Sequence, residues 1–392
     1  MSLCKSCKLF GAYRAAVSIT DSAVLIHSTI GCNWGTSTFH NTSKLMDIRQ
    51  CSSVIYEEDI VYGGRRTLEK ALREVCDNYD SSVVFVLTGC VAEIMEDDIE
   101  GIIRDTNCNK DIKIIKSAGF KGDMLSGMED AMRLLADNMK PAAPKKNSIN
   151  LIGLFSDDFK IDADLKAVRK LLGRQIQINC VMPYDSYEKI QEAPGACLNV
   201  VFSGFEPVGA YMQERFGTPY IVAEYPYGIG NSKKFCKAIY DALNIKSHFS
   251  LDALERITLE RLEHAFDYVK KFYGMPAAVV GDGVRAASLK AFLESELGLN
   301  VEVFLNSFHD TKNRDFDKEI ELSNSIMIFG SSFERGWADR YNIPLIRYTY
   351  PVFDSISIGN KNYAGFSGVI NLVEDMVNSI MTMEYRRSGM YG

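Results

Sequence analysis

Short apolar runs alternate with amphipathic segments along most of this chain. Residues 23–27 and 82–88 are two such runs, rich in valine, leucine and isoleucine. Runs of this length are typical of strands buried on both faces of a parallel sheet. Between them lie helical patterns, such as the apolar residues at i, i+3, i+4 and i+7 that begin at Leu68. The alternation predicts βαβ units and therefore an α/β fold with parallel sheets.

A repeat in the later part of the chain indicates two related domains. Residues 215–221 recur in modified form about 125 positions later as residues 340–346. Tyr225-Pro226 likewise recurs as Tyr350-Pro351. Both copies share the same order of predicted strands and helices, so a single duplicated plan accounts for them.

A proline- and lysine-rich linker at residues 139–148 separates the first copy from the part of the chain before it. We therefore expect domains at 1–140, 148–274 and 275–392, with the last two forming the internal repeat. A long helix is expected over residues 250–273, where it would connect them. The first domain is expected to be a third variation on the same plan.

Charge and composition exclude several classes of function. The 392 residues carry a net charge of −7 and show no basic stripe, which argues against nucleic-acid binding. No apolar run approaches the ~18 residues of a membrane helix, and no secretory signal opens the chain. Ten cysteines are too few and too irregularly spaced for a secreted disulfide framework. These features predict a cytoplasmic protein with no membrane partner and with thiolate chemistry.

Three of the cysteines occupy settings that suit an inorganic cluster. Cys32 and Cys90 each follow a glycine just beyond a predicted strand, and Cys7 lies near the start of the chain. Open α/β sheets bind ligands at the carboxyl ends of their strands. A preceding glycine lets backbone N–H groups approach a thiolate closely, as iron–sulfur clusters require. We expect ordinary burial for six other cysteines, which are Cys51, Cys76, Cys108, Cys180, Cys197 and Cys236.

Seven short segments spread along the chain form a recognisable ordered set: residues 7–12, 30–32, 57–64, 88–98, 119–122, 350–353 and 365–369. Together they resemble nitrogenase component 1 and its relatives, which include molybdenum–iron protein subunits, cofactor-assembly scaffolds and tetrapyrrole reductases. The spacing of Cys7, Cys32 and Cys90 is most similar to the beta-type subunit. The resemblance implies three doubly wound, Rossmann-like domains.

The resemblance also implies a cofactor and a partner. Cys7, Cys32 and Cys90 match the thiolates that hold the family's iron–sulfur cluster, either 4Fe-4S or a larger P-cluster-like group, at a subunit interface. Three cysteines leave one ligand position to a partner, so a homodimer or a heterodimer with a related sister subunit is expected. Cys4 forms a CxxC pair with Cys7, but the family spacing favours Cys7.

A docking face for an ATP-dependent iron protein is implied at Tyr62, with Glu57 and Glu58 beside it. The alternative is that Tyr62 packs under the turn that follows it. That turn, Gly63-Gly64, could in principle bind phosphate, but it lacks the Walker and dinucleotide signatures, and a plain turn is favoured. Asp97-Asp98 are expected to begin the next helix.

The chain also departs from the catalytic alpha subunits of nitrogenase. The position of their cofactor-binding cysteine falls near Val201, and Cys197 is nearby but out of register. No histidine lies between Tyr348 and Gly368, where their cofactor-binding histidine is expected. A molybdenum–iron cofactor held in the alpha-subunit manner is therefore not expected.

The expected function is that of a component-1-like oxidoreductase subunit. It would accept electrons from the iron protein and pass them to a substrate or cofactor between its domains. Two alternatives stay open: a non-catalytic scaffold for assembling a metal cofactor, and a cluster-free Rossmann-like relative.

Overall fold

The computed structural model describes residues 7–39, 49–246, 251–306 and 316–387. Within these ranges the chain forms three four-stranded sheets in which every pair of neighbouring strands is parallel. Cys4 lies outside the described residues. No helix in these ranges is both long and apolar enough to cross a membrane.

The first sheet has the strand order β2-β1-β3-β4, with the fully buried β1 and β3 at its centre. Its strands are β1 (Ser22–Ser28), β2 (Gln50–Val54), β3 (Val83–Thr88) and β4 (Asp111–Lys116). Its helices are α1 (Lys8–Ser18), α2 (Ile30–Phe39), α3 (Glu57–Tyr62), α4 (Arg65–Asn78), α5 (Cys90–Met95), α6 (Ile99–Thr106) and α7 (Met124–Asp137). The predicted apolar stripe of α4, which begins at Leu68, is its buried face.

The second sheet repeats this topology in the order β6-β5-β7-β8. Its strands are β5 (Ser148–Leu154), β6 (Gln177–Pro183), β7 (Leu198–Phe202) and β8 (Tyr220–Ala223). The accompanying helices are α8 (Ile161–Leu172), α9 (Tyr187–Gln191), α10 (Glu206–Phe216) and α11 (Gly228–Ala242).

The third sheet has the order β10-β9-β11-β12, which is again the same plan. Its strands are β9 (Pro276–Gly281), β10 (Asn300–Asn306), β11 (Ile328–Gly330) and β12 (Leu345–Arg347). The remaining helices are α12 (Leu251–Glu263), α13 (Phe266–Val269), α14 (Gly283–Ser295), α15 (Phe316–Leu322), α16 (Arg335–Tyr341) and α17 (Gly365–Arg387). The shared strand order confirms the predicted fold class and the internal repeat.

The long helix expected over 250–273 is wrong. The structure ends α12 at Glu263 and starts the short α13 at Phe266. At the break, the N–H of Ala265 bonds the carbonyl of Leu262, three residues back, which tightens the last turn. The break lets the chain fold back and bury Phe272 in the core, which a straight helix would carry away from it.

The hydrophobic cores cross from one sheet to the next. One cluster joins the second and third sheets and includes the buried face of α17. A second cluster joins α1 and the first sheet to residues of the second sheet, such as Ile152 and Met182. The helix α17 packs against α8, α11 and α12. The three sheets are therefore held by continuous apolar packing.

Candidate functional site

The three predicted cysteines lie at the starts of three helices. Cys7 is the N-cap residue of α1, Cys32 is in the first turn of α2, and Cys90 is the first residue of α5. The helices α2 and α5 start just beyond the carboxyl ends of β1 and β3, as the sequence predicts. Helix starts supply N–H groups without intrahelical partners, which favour a thiolate nearby.

Gly119 brings two of the sulfurs together. A Cβ atom placed on Gly119 would lie 3.1 Å from the Sγ of Cys7 and 3.4 Å from the Sγ of Cys90. The backbone N–H of Gly119 donates to the Sγ of Cys90 at 3.1 Å. The close backbone approach expected at the cysteines is therefore provided by Gly119. Gly31, by contrast, faces open space, and its lack of a side chain is not required by any contact.

The Cys32 sulfur lies near enough to the Cys7 thiol to act on it electrostatically. Burial raises the pKa of the Cys7 thiol, the N–H groups of Phe10 and Leu9 lower it, and the neighbouring Cys32 and Cys90 sulfurs raise it further. The hydroxyl of Thr29 donates to the Sγ of Cys32 at 3.8 Å. The Cys7 thiol, whose ionisation burial and the two neighbouring sulfurs oppose, would be stabilised as a thiolate by a cationic metal centre.

The spacing of the three cysteines bears on the kind of metal group that they could hold. Among the described residues, no group of three or more His, Cys, Asp or Glu side chains is arranged to hold one metal ion. In an iron–sulfur cluster each thiolate binds a different iron, so the ligands lie further apart. The buried hydroxyl of Ser28 lacks a hydrogen-bond partner and lies against Gly89, the residue before Cys90. An orphaned polar atom there is consistent with an additional group at this place.

The cysteines lie under a surface that exposes large apolar side chains. Ile30 and Trp34 flank Cys32 on α2, Ile94 follows Cys90 on α5, and Phe120 follows Gly119; all four side chains are exposed. Large exposed apolar side chains that form one patch mark sites of protein association.

Tyr62 stands next to this region at the end of α3, and its side chain is 87% exposed. It therefore does not pack under the turn. Glu57 and Glu58, in the first turn of α3, are exposed as well. The structure thus places all three predicted docking residues on one short helix at the surface.

The turn after Tyr62 is held by a buried histidine–aspartate pair. Asp97 accepts a hydrogen bond from the N–H of Gly64 at 3.2 Å, and its other oxygen lies 3.3 Å from Nε2 of His27. A Cβ on Gly64 would lie 2.7 Å from Asp97 and 2.9 Å from His27. The carboxylate occupies the place a phosphate would need, so the turn is a plain turn. Asp98 caps α6, as predicted, by accepting from the N–H of Gly101.

A buried ionic cluster fills the junction of the three sheets. Arg14 of α1 is 1% exposed, and its guanidinium bonds Asp157 at 2.8 Å, Asp158 at 2.7 Å and Asp282 at 3.2 Å. The two adjacent aspartates follow β5 and Asp282 follows β9, so one arginine ties all three units together. The guanidinium carbon also lies 4.0 Å from the ring centre of Tyr350.

A second buried arginine extends this junction cluster. Arg285 lies 3.4 Å from Asp158 and donates to the hydroxyl of Tyr225 at 3.0 Å. Tyr225 in turn donates to Asp164 at 2.6 Å. Burial raises the pKa of Asp158, and the positive charges of Arg285 and Arg14 lower it.

The junction cluster leaves a cavity of only about 20 Å³ between the carboxyl ends of β5, β7 and β9. That is room for about one water molecule. A substrate bound at this junction would have to displace these side chains. Sequence reasoning missed this feature, although an arginine on the apolar face of α1, between Tyr13 and Ala15, was a usable signal.

The other cysteines divide into three kinds. Cys180 and Cys236 are buried thiols, as expected, and burial raises the pKa of Cys236 to about 12. Cys51 and Cys197 are only half-buried. Cys76 and Cys108 do not remain free, because a disulfide joins them and links α4 to the segment before β4. The expectation of ordinary burial is wrong for this pair: α4 and α6 pack together and bring the two residues into contact.

Comparison with known sequences finds relatives over most of the chain. A profile of the family described as nitrogenase component 1 type oxidoreductase matches residues 7–381. The nitrogenase iron-molybdenum cofactor biosynthesis protein NifE of Clostridium pasteurianum is 26% identical over 80% of this chain and 70% of its own length. The nitrogenase molybdenum-iron protein beta chain of Methanococcus maripaludis is 23% identical over 97% of this chain and 94% of its own.

A third relative is one of the subunits of the light-independent protochlorophyllide reductase of Prosthecochloris aestuarii, 23% identical over 95% of this chain and 77% of its own length. Among solved structures, nitrogenase Cp1 at pH 6.5 superimposes with a TM-score of 0.79 and 18% identity, over 98% of this chain and 94% of that one. The structural likeness concerns the fold. Because the family profile spans nearly the whole sequence, the chain belongs to the nitrogenase component 1 type oxidoreductases.

Proposed function

We propose that this chain is an iron–sulfur subunit of a component-1-like oxidoreductase. It accepts electrons from an ATP-dependent iron protein and passes them to a bound substrate or cofactor. The observation that carries the proposal is the approach of Cys7 and Cys90 at Gly119, with Cys32 as an electrostatic neighbour of Cys7, beneath exposed apolar side chains. When bound there, a 4Fe-4S or larger P-cluster-like group would supply one-electron redox chemistry.

The cysteines would hold the cluster at a subunit interface. Three thiolates leave one position of a four-ligand set to another group, and the surface above them exposes Ile30, Trp34, Ile94 and Phe120. A second subunit covering this face would exclude water and bring the fourth ligand. That second subunit would be either another copy of this chain or a related sister subunit.

The iron protein would dock at α3. Tyr62 offers a large exposed aromatic anchor, and Glu57 and Glu58 give the same helix a negative end. Small transient interfaces combine such an anchor with charges that speed the encounter. Asp97 and His27 fix the turn behind the anchor, and the main-chain carbonyl of His27 also bonds the N–H of Gly89, next to Cys90.

The substrate or cofactor that receives the electrons would bind outside the domain cleft of this chain. The junction cluster around Arg14 leaves room for about one water molecule, and Val201 is buried in β7 and offers no ligand atom. Arg14 lies two helical turns after Cys7 on α1, or about 10 Å along the helix axis. A sister subunit, or the interface with it, is therefore the place we propose for the substrate or cofactor.

The test is electron transfer in a reconstituted system. Anaerobically purified protein, with its sister subunit where one exists, is mixed with the iron protein of the same organism, and the cluster is followed by electron paramagnetic resonance. We expect reduction only when MgATP is present. Reduction that is independent of ATP, or no reduction of an iron-loaded sample, contradicts the proposal.

A scaffold for metal cofactor assembly is the second candidate, because NifE is among the similar proteins. Both roles need the cluster and the docking face. They differ in the product: an oxidoreductase turns over a small substrate, whereas a scaffold releases a metal cofactor to an acceptor protein. Mass analysis of what leaves the protein after reduction separates the two.

A further inference from the structure

A second, larger pocket lies far along the chain from the cysteines. It has a volume of about 570 Å³ and opens between β12, the edge strand of the third sheet, and α17. Phe159 and Lys160, just before α8, also line it. Pockets of this size at the junction of two folding units are typical of small-molecule sites.

Lys160 is held in the wall of this pocket by its backbone and by two aromatic rings. Its φ of 64° lies in the left-handed region, which lysine rarely adopts. Its ammonium lies 4.6 Å from the ring centre of Tyr363 and 5.2 Å from that of Phe159. Within the described part of the chain, no carboxylate forms an ion pair with it. Burial lowers the pKa of Lys160. The more distant Asp375 and Asp164 oppose this shift only in part, and the positive charge of Lys361 adds to it.

The acidic residues of the pocket already have partners other than Lys160. Asp375 accepts from Lys361 at 2.5 Å and from the hydroxyl of Tyr363 at 2.6 Å. Asp339 pairs with Arg335 at 2.9 Å. Lys361 is shared between Asp375 and Glu374, and none of these carboxylates forms a direct ion pair with Lys160.

Neutral hydrogen-bonding groups face the pocket from α17. Asn378 and Ser379 line it, and their side chains bond no other described residue. On the opposite side, β12 is an edge strand with one strand neighbour, β11, so its outer backbone groups are unpaired in the sheet. Ile356, which is exposed, and Ile343 add apolar surface. The lining therefore suits a ligand with one charged end and a partly apolar body.

We propose that this pocket binds a small organic carboxylate, with its anionic group at Lys160 and its body between β12 and α17. One ammonium without a direct ion-pair partner matches one carboxylate, whereas a phosphate monoester carries about −1.5 to −2 charges. Because α17 packs on the second unit and β12 belongs to the third, an occupied pocket would strengthen the packing between them.

The test is binding of acetate, butyrate, benzoate and inorganic phosphate to the full chain, measured by ligand-observed NMR and by thermal shift. We expect at least one carboxylate to bind more tightly than phosphate and to raise the melting temperature. Lys160→Met should weaken the binding of that carboxylate at least about tenfold, and Lys160→Arg should retain most of the affinity.

Lys166→Met serves as the control, because Lys166 is a nearby exposed lysine that bonds Asn360. Ser379→Phe fills the pocket without touching the charge of Lys160 and should also abolish binding. No binding of any of the three carboxylates to the wild type, preferential binding of phosphate, or equal loss in Lys160→Met and Lys166→Met would each overturn the proposal.

Discussion

At the scale of single residues, Gly119 is the clearest example of what the sequence could not reveal. It was part of a motif, but its contact with two cysteines depends on the path of the chain after β4. Cys7, Cys32 and Cys90 could be predicted because strand-end glycines and their spacing are local features. Arg14 could not, because its three partners come from distant parts of the chain.

Gly119→Val should lower the iron content of the purified protein. The first atom of the new side chain would lie 2.9 Å from the Cβ of Cys7 and 3.1 Å from its sulfur, so the cysteine must move. Iron and sulfide per chain, measured anaerobically beside the melting temperature, test this. Gly31→Ala is the matched control and should change neither quantity, because its Cβ meets no atom within 4 Å. Equal iron in both variants would show that Gly119 does not shape the site.

Tyr62→Ala should slow ATP-dependent electron transfer while leaving the fold intact. The side chain is 87% exposed, so the free energy of unfolding should change by no more than about 0.5 kcal/mol. Tyr273→Ala, at a tyrosine that is 83% exposed and remote from the cysteines, controls for the loss of any surface aromatic. Transfer rates that fall equally in both variants, or in neither, would place the docking face elsewhere.

At the scale of elements, the repeated strand order follows from local apolar runs, and the sequence predicts it well. The break between α12 and α13 does not follow from local apolar runs, because it is made by the burial of Phe272 in a core shared with the third sheet. The α3–α4 turn is a similar case. Its glycines suggest a turn, but only the fold shows that His27 and Asp97 hold it.

His27 should make the fold sensitive to acid. Burial lowers its pKa below the ordinary value of 6.5, against the opposing effect of Asp97. Below that pH the imidazole takes up a proton more readily in the unfolded state than in the folded state. The contribution of His27 to the free energy of unfolding is therefore fully present above about pH 6.5 and is lost as the pH falls. We expect the free energy of unfolding, measured with denaturant, to fall less between about pH 7.5 and about pH 5 in His27→Gln than in the wild type. His264→Gln, at an exposed histidine, should lose as much as the wild type; an equal loss in all three would contradict the assignment.

At the scale of the whole molecule, three copies of one sheet plan meet at a junction filled by charge. The plan and the family could be predicted from the sequence. The closed junction could not, because it arises from residues 14, 157, 158, 282 and 285, which are separated along the chain and joined only in space.

Arg14→Met should destabilise the molecule strongly, by about 3–5 kcal/mol, because it leaves buried carboxylates without their cation. Arg73→Met, at an exposed arginine of α4, should change the stability little. Chemical denaturation of both variants measures the difference. A stable Arg14→Met protein with an enlarged, ligand-accepting cleft would contradict the claim that this chain keeps its junction closed.

The central claim is that Cys7, Cys32 and Cys90 together hold an iron–sulfur cluster. Its most direct test is the iron and acid-labile sulfide content of anaerobically purified wild-type protein and of the three single Cys→Ala variants, with Cys197→Ala as a control at a half-buried cysteine elsewhere. We predict iron and sulfide in the wild type and in the control, and a marked loss of both in each of the three variants. Wild-type iron content in all three variants, or a wild type free of iron, would contradict the account.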